Sequence, residues 1–282
     1  MGERFEIDTR VGPVPVRVVG DGPPVLAVHG LLMDGRLWDG VVGRLSPHAR
    51  VVVPDLPLGA HRRAVPDRSR LTPREVAGAL VDVLDGLDIG SAVLLGNDTG
   101  GALVQMAAAA YPERASGLVL AGCDAFEHFP PPLVRPLVSL AAVPGGTSLM
   151  LRLFGVPAVL ADPGRLNVFT ARGFGRPLVR DLLEPARSDA HVRADLTAFM
   201  RNVRPGPLLD AVDGLRAFAG RAAVVWGRRD RIFPPRDAER LAALLDTTVT
   251  WLDDAMTFVP HDRPDAVADA VVSLLPTPRI GP

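Results

Sequence analysis

The stretch Ala92-Val93-Leu94-Leu95-Gly96-Asn97-Asp98-Thr99-Gly100-Gly101-Ala102 decides how the chain is read. Its first four residues make a short apolar run that suits a buried strand, and the alanine-rich residues beyond Gly101 suit a helix. Between them the chain must turn sharply, and the flanking glycines let strand and helix pack closely. Asp98 stands at the tip of that turn, beside the positive end of the helix dipole. Taken alone, the turn supports two readings: a reactive carboxylate on a strand-to-helix elbow, or a glycine-rich turn whose aspartate merely caps the helix.

Working outward, the same rhythm of short apolar runs and longer helical stretches recurs on both sides. Residues 4–8 and 14–19 read as an opening strand pair joined through Gly12-Pro13, and 25–28, 51–53, 118–120, 222–225 and 249–252 read as further strands. Such alternation predicts a mostly parallel sheet covered by helices. Thr72-Pro73-Arg74-Glu75 is a helix start, with threonine as cap, proline at the first helical position and glutamate placed to reach back to the cap amide. Helices are also expected after Asp98, Pro235 and Pro264. The rhythm stops between residues 125 and 215, a stretch holding Pro130-Pro131-Pro132, Pro144-Gly145-Gly146 and an amphipathic run over 185–203 with Leu196, Phe199 and Met200 on its apolar face. This predicts a helical cap at 125–215 inserted into a core made of 1–124 and 216–282.

The chain has 282 residues, enough for one large domain with a full core, and a formal net charge of −1. That balance gives no reason to propose nucleic acid or an anionic membrane as partner. No lysine occurs, so Schiff-base catalysis by lysine is excluded. Cys123 is the only cysteine, which rules out an internal disulfide and a cysteine metal cluster. Neither a signal-like apolar core nor an apolar run of membrane-spanning length is present, so the expectation is a soluble cytoplasmic protein that takes a small molecule. Association into a homodimer is compatible with this. The histidines are scattered and no phosphate-cradling glycine motif occurs, so neither metal nor organic cofactor is expected.

In a parallel sheet ligands sit at the carboxyl ends of the strands. The residues found there are His29-Gly30-Leu31, Asp55 with His61, the Asp98 turn, Asp124 with Phe126 and His128, Asp230, and Thr257. Together with Tyr111-Pro112-Glu113-Arg114, Trp226-Gly227-Arg228-Arg229-Asp230 and Phe258-Val259-Pro260, these motifs stand in the order and setting of the α/β-hydrolase superfamily. The chain resembles that superfamily from about residue 5 to residue 275. With aspartate at the elbow it is most similar to the haloalkane dehalogenase and epoxide hydrolase branch.

The resemblance implies an α/β-hydrolase fold: a mostly parallel eight-stranded sheet with a helical cap. It implies Asp98 as nucleophile, Asp230 as the acid that orients a histidine, and Asp124 at the alternative acid position. The backbone amides of Leu31 and Thr99 match the oxyanion hole. His29 matches a structural, hydrogen-bonded residue at the pocket, beside Asn97, Phe126 and Thr257. One position departs from the pattern. Members with a working triad read roughly Asp-Ala-Gly-His-Phe-Val-Pro where this chain reads Asp254-Ala255-Met256-Thr257-Phe258-Val259-Pro260. Thr257 therefore takes the histidine slot, and threonine is no base near neutral pH.

Three readings stay open. Asp98 works by acid–base chemistry without hydrolysis, as in a lyase, isomerase, cyclase or dehydratase, helped by a neighbouring carboxylate that keeps a proton on one of the pair. Alternatively a hydrolase of the dehalogenase or epoxide hydrolase kind has relocated its base to His61 or His128. The third is a non-catalytic protein that binds a small ligand.

Overall fold

The computed structural model describes residues 2–154 and 168–276. Eight strands form one sheet: β1 (Glu3–Thr9), β2 (Gly12–Val19), β3 (Pro24–Val28), β4 (Arg50–Pro54), β5 (Ala92–Asp98), β6 (Ala115–Cys123), β7 (Arg221–Gly227) and β8 (Val249–Leu252). Their spatial order is β1-β2-β4-β3-β5-β6-β7-β8. The first two strands join antiparallel and every pairing from β4 onward is parallel. Each apolar run picked out from the sequence lies within one of these strands.

Crossover helices cover the sheet, as parallel pairing demands. In chain order they begin with α1 (Asp39–Leu45), α2 (Pro73–Asp85) and α3 (Thr99–Ala110). Between β6 and β7 lie α4 (Arg135–Ser139), α5 (Gly146–Phe154), α6 (Arg176–Ser188), α7 (Ala190–Asn202), α8 (Gly206–Leu209) and α9 (Val212–Arg216); after β7 come α10 (Pro235–Leu244), α11 (Val259–Asp262) and α12 (Pro264–Leu274). A helical layer is thus inserted where the strand rhythm breaks; residues 155–167 of the expected cap lie outside the described residues.

Two local expectations need correction. Thr72 caps α2 by accepting from the Glu75 amide, but the Glu75 carboxylate turns to Arg70 instead of the cap amide, so only half of the capping box forms. The amphipathic run over 185–203 is two helices, not one. Asp189 ends α6 and caps α7 by accepting from the His191 and Val192 amides, while Pro185 sits inside the last turn of α6. Leu196, Phe199 and Met200 are buried as the pattern predicted.

Candidate active site

β5 and α3 meet at Asp98 in a turn whose backbone is strained. Asp98 adopts φ 55° and ψ −134°, a region that non-glycine residues rarely enter and that persists only where surrounding structure enforces it. A bulge between β5 and β6 at Asn97/Asp98 accompanies the turn. Glycine is required on both sides of it. A Cβ on Gly100 would lie 2.1 Å from the Val28 carbonyl oxygen, and one on Gly30 would lie 2.6 Å from Asp98 Oδ2. The turn therefore presses the Asp98 carboxyl against the loop that follows β3.

Asn97 points the other way and secures the frame. Its amide nitrogen donates to the carbonyls of Ala121, Gly122 and Thr257, tying the end of β6 and the segment holding Thr257 to the elbow. Thr257 Oγ1 donates to Asp230 Oδ1 at 2.7 Å, and the same oxygen accepts the amides of Ile232 and Phe233. The acid expected to orient a histidine instead holds a threonine.

Asp98, Thr99, Asp124 and Thr257 line a single cavity of about 70 Å³, together with Leu31 and apolar side chains such as Phe129, Phe169 and Ile232. By the roughly 10–15 Å³ that one water needs, this holds about five waters. Thr99 Oγ1 donates to Asp124 Oδ2 at 3.3 Å, and the Thr99 amide and hydroxyl beside the Asp98 carboxyl favour its ionised form. Burial, reinforced by the charge of Asp230, lifts Asp98 to about 7 against these bonds. Burial likewise lifts Asp230 to about 6, although Thr257 and two amides hold it down. Asp124 is pushed well above the carboxylate range by burial and then by Asp98.

The structure brings Asp98, Thr99, Leu31, Asp124 and Thr257 together around the cavity and sets Asp230 directly behind Thr257. The other residues picked from the sequence lie elsewhere. His29 is fully buried and structural: its Nδ1 donates to the Gly30 carbonyl and its Nε2 accepts the Leu56 amide. Phe126 is covered by the Arg240 guanidinium, 3.9 Å from the ring centroid, and does not line the cavity. His61 donates through Nε2 to Asp195 on α7 and accepts the Gly59 amide at Nδ1. His128 lies between Asp237, 2.6 Å from its Nδ1, and Arg236, 2.8 Å from its Nε2. Neither histidine offered as a relocated base faces Asp98, and no histidine lines the cavity among the described residues.

Sequence reasoning missed two contributions. Thr99 was picked for its amide, whereas its hydroxyl also bonds the Asp124 carboxyl; a hydroxyl next to the elbow aspartate was the available signal. Val134, Leu137 and Val138, around α4, form the far wall, and nothing in the proline-rich stretch before them distinguishes a wall from packing.

Residues 23–259 match the alpha/beta hydrolase fold family. The chain is 26% identical to an uncharacterised protein of Mycobacterium tuberculosis over 281 aligned residues, covering 93% of this chain and 77% of that one. It is 29% identical to a 2-hydroxymuconate semialdehyde hydrolase of Pseudomonas sp. (strain CF600), covering 79% and 76%. Among solved structures, a haloalkane dehalogenase from Bradyrhizobium elkani superposes with a TM-score of 0.80 at 20% identity, covering 97% of each chain, a likeness of fold.

Proposed function

The chain belongs to the alpha/beta hydrolase fold family, and on that premise we propose that it is an enzyme whose Asp98 works on a small, largely apolar molecule by acid–base chemistry without hydrolysis. One observation supports the reading: the hydroxyl of Thr257 donates to Asp230 at 2.7 Å, at the position where the resemblance implies a histidine that would activate water. An ester formed on Asp98 would have no base to release it. A carboxyl at about 7 is instead near half-protonated at neutral pH, so it can donate or accept a proton with little mismatch. Asp230 acts on Asp98 through its charge, and the amide of Leu31 would serve a developing oxyanion, joined by that of Thr99 once Asp98 takes a proton and releases that amide. A lyase, isomerase, cyclase or dehydratase reaction could be carried by these parts.

The hydrolytic alternative needs a base, and the commitments of His61 and His128 to Asp195 and Asp237 argue against it. Incubation with a small reactive alkyl halide, read by intact-mass spectrometry, separates the two. Under the acid–base reading the protein stays unmodified and the halide is not consumed. Rapid turnover of the halide would overturn the reading in favour of a relocated base. A stable adduct on the peptide holding Asn97-Asp98-Thr99 would overturn it in favour of a nucleophile stranded without one. In that case replacing Met256 by glycine and Thr257 by histidine should restore ester hydrolysis, because Asp230 is already in place to orient the new ring. Once a substrate is found, Asp98→Asn should lower kcat by about 10²–10⁴-fold with binding retained.

A further inference from the structure

We infer that the ligand of this cavity is a small apolar amine, bound as its ammonium ion with Asp124 as the anchoring counter-charge. The inference deepens the acid–base reading by naming a substrate class, and it rests on the Asp98 cavity being the working site.

Asp124 follows β6, is 1% exposed and lines the cavity beside Asp98. One of its oxygens accepts from Thr99, while the other, Oδ1, is buried and has no hydrogen-bond partner. Asp230 Oδ2 is in the same position behind Thr257. A buried acceptor left without a donor is costly, and Asp124, one of the two carboxyls that line this apolar space, has an oxygen for which the described residues supply none, so a bound molecule that brings a donor would satisfy it. No arginine or histidine lines the cavity among the described residues; Thr99 and Thr257 supply its only side-chain hydroxyls, and both already serve carboxylates.

The chemistry of the missing partner follows. A primary ammonium brings three donors and a positive charge on a compact head, where an alcohol brings one donor and no charge. A carboxylate head would meet like charge. A metal ion fits less well. Among the described residues the one group of three ligand atoms close enough to chelate is Glu127, His128 and Asp237, which lies elsewhere and has Arg236 and Arg240 bonded into it. The remaining walls suit a short hydrocarbon: Val138 and Ile232 are aliphatic, and Phe129 and Phe258 add ring surface that also favours a cation. Asp124, whose pKa burial and Asp98 raise in the free protein, ionises as the ammonium binds, releasing its proton to solvent; it then holds the ammonium by charge and leaves Asp98 to exchange a proton with the bound molecule.

Calorimetric titration of the unmodified protein with n-butylamine, 1-butanol and butanoate, at pH 7.5 and matched ionic strength, tests the inference without any turnover. Butylammonium should bind at least about tenfold more tightly than 1-butanol, and butanoate should not bind, in keeping with the strength of charge-assisted hydrogen bonds. Asp124→Asn should bring the amine to within about twofold of the alcohol. The wild-type comparison decides by itself if that variant does not fold. Equal affinity for amine and alcohol, preference for butanoate, no binding of butylammonium, or a preference that survives in Asp124→Asn would each overturn the inference. Failure of the acid–base reading looks different: turnover would persist in Asp98→Asn while the binding preference stood.

Discussion

Two buried groups of acidic side chains in this molecule face opposite electrostatic situations. Asp195, on α7, is fully buried, yet its oxygens take the Arg68 guanidinium, the Val65 amide and His61 Nε2. Burial pulls its pKa upward, and those bonds outweigh the pull and leave it below the ordinary carboxylate range. At the cavity, Asp98, Asp124 and Asp230 experience the same burial without a cation among the residues that bond them, and all three are raised. Burial alone therefore does not determine the state of a carboxyl; the presence of donors and cations does. The first group fastens a loop to the helical layer. The second is left in a condition in which protons can move.

The sharpest way to break the comparison is to remove the paired member. Asp195→Ala leaves Arg68 and His61 without their shared acceptor and should cost about 3 kcal/mol in chemical denaturation, the low end of what breaking a buried pair costs because Arg68 is partly exposed. A loss under 1 kcal/mol would mean that the Asp195 cluster is as poorly compensated as the cavity.

The cavity group should behave with the opposite sign. The folded pKa of Asp98 is raised from 3.8 to about 7, so the native state holds a proton that the unfolded chain releases. Its contribution to stability is then fully present below pH 3.8 and is lost as pH rises through about 7. Asp98→Asn removes that loss. The variant should match the wild type near pH 4 and exceed it by on the order of 4 kcal/mol at pH 8. Thermal unfolding across this range measures it, and a variant less stable than wild type at pH 8 would mean that Asp98 is ionised and well compensated. Asp195 works the other way: its stabilisation is present above 3.8 and fades as pH falls through its lowered pKa.

The smallest effect sharpens the role of the threonine. Thr257→Val keeps the shape and removes the one side-chain donor to Asp230 among the described residues, which should cost about 1 kcal/mol. It should also raise Asp230 beyond its present value of about 6, moving the loss of stability that accompanies its ionisation to higher pH. An unchanged pH profile would show that the Ile232 and Phe233 amides alone hold that carboxylate.

The fold was legible because each buried strand is a short valine- and leucine-rich run and each crossover has a glycine or proline at its turn, a local signal. The strained tip at Asp98 was legible for the same reason, since the chain cannot turn there without the glycines around it. The pairing of histidines was not. His61 and His128 stand in loops at the right edge of the sheet, as the proposed relocated base required, but Asp195 and Asp237, their partners, lie 134 and 109 residues further along. Competition between distant carboxylates for one imidazole leaves no local trace. The split of the 185–203 run was readable in part: Asp189 is a good cap residue, and the apolar periodicity across it masked the break.

The bond from Asn97 to the carbonyl of Thr257 has a consequence for how such a site changes over generations. The chain at position 257 is gripped by its backbone, and its side chain takes no part in that grip. Whatever residue stands there is held at the same height above the elbow, facing the same acid. The position behaves as a socket that accepts different side chains without loss of the backbone bond that holds it.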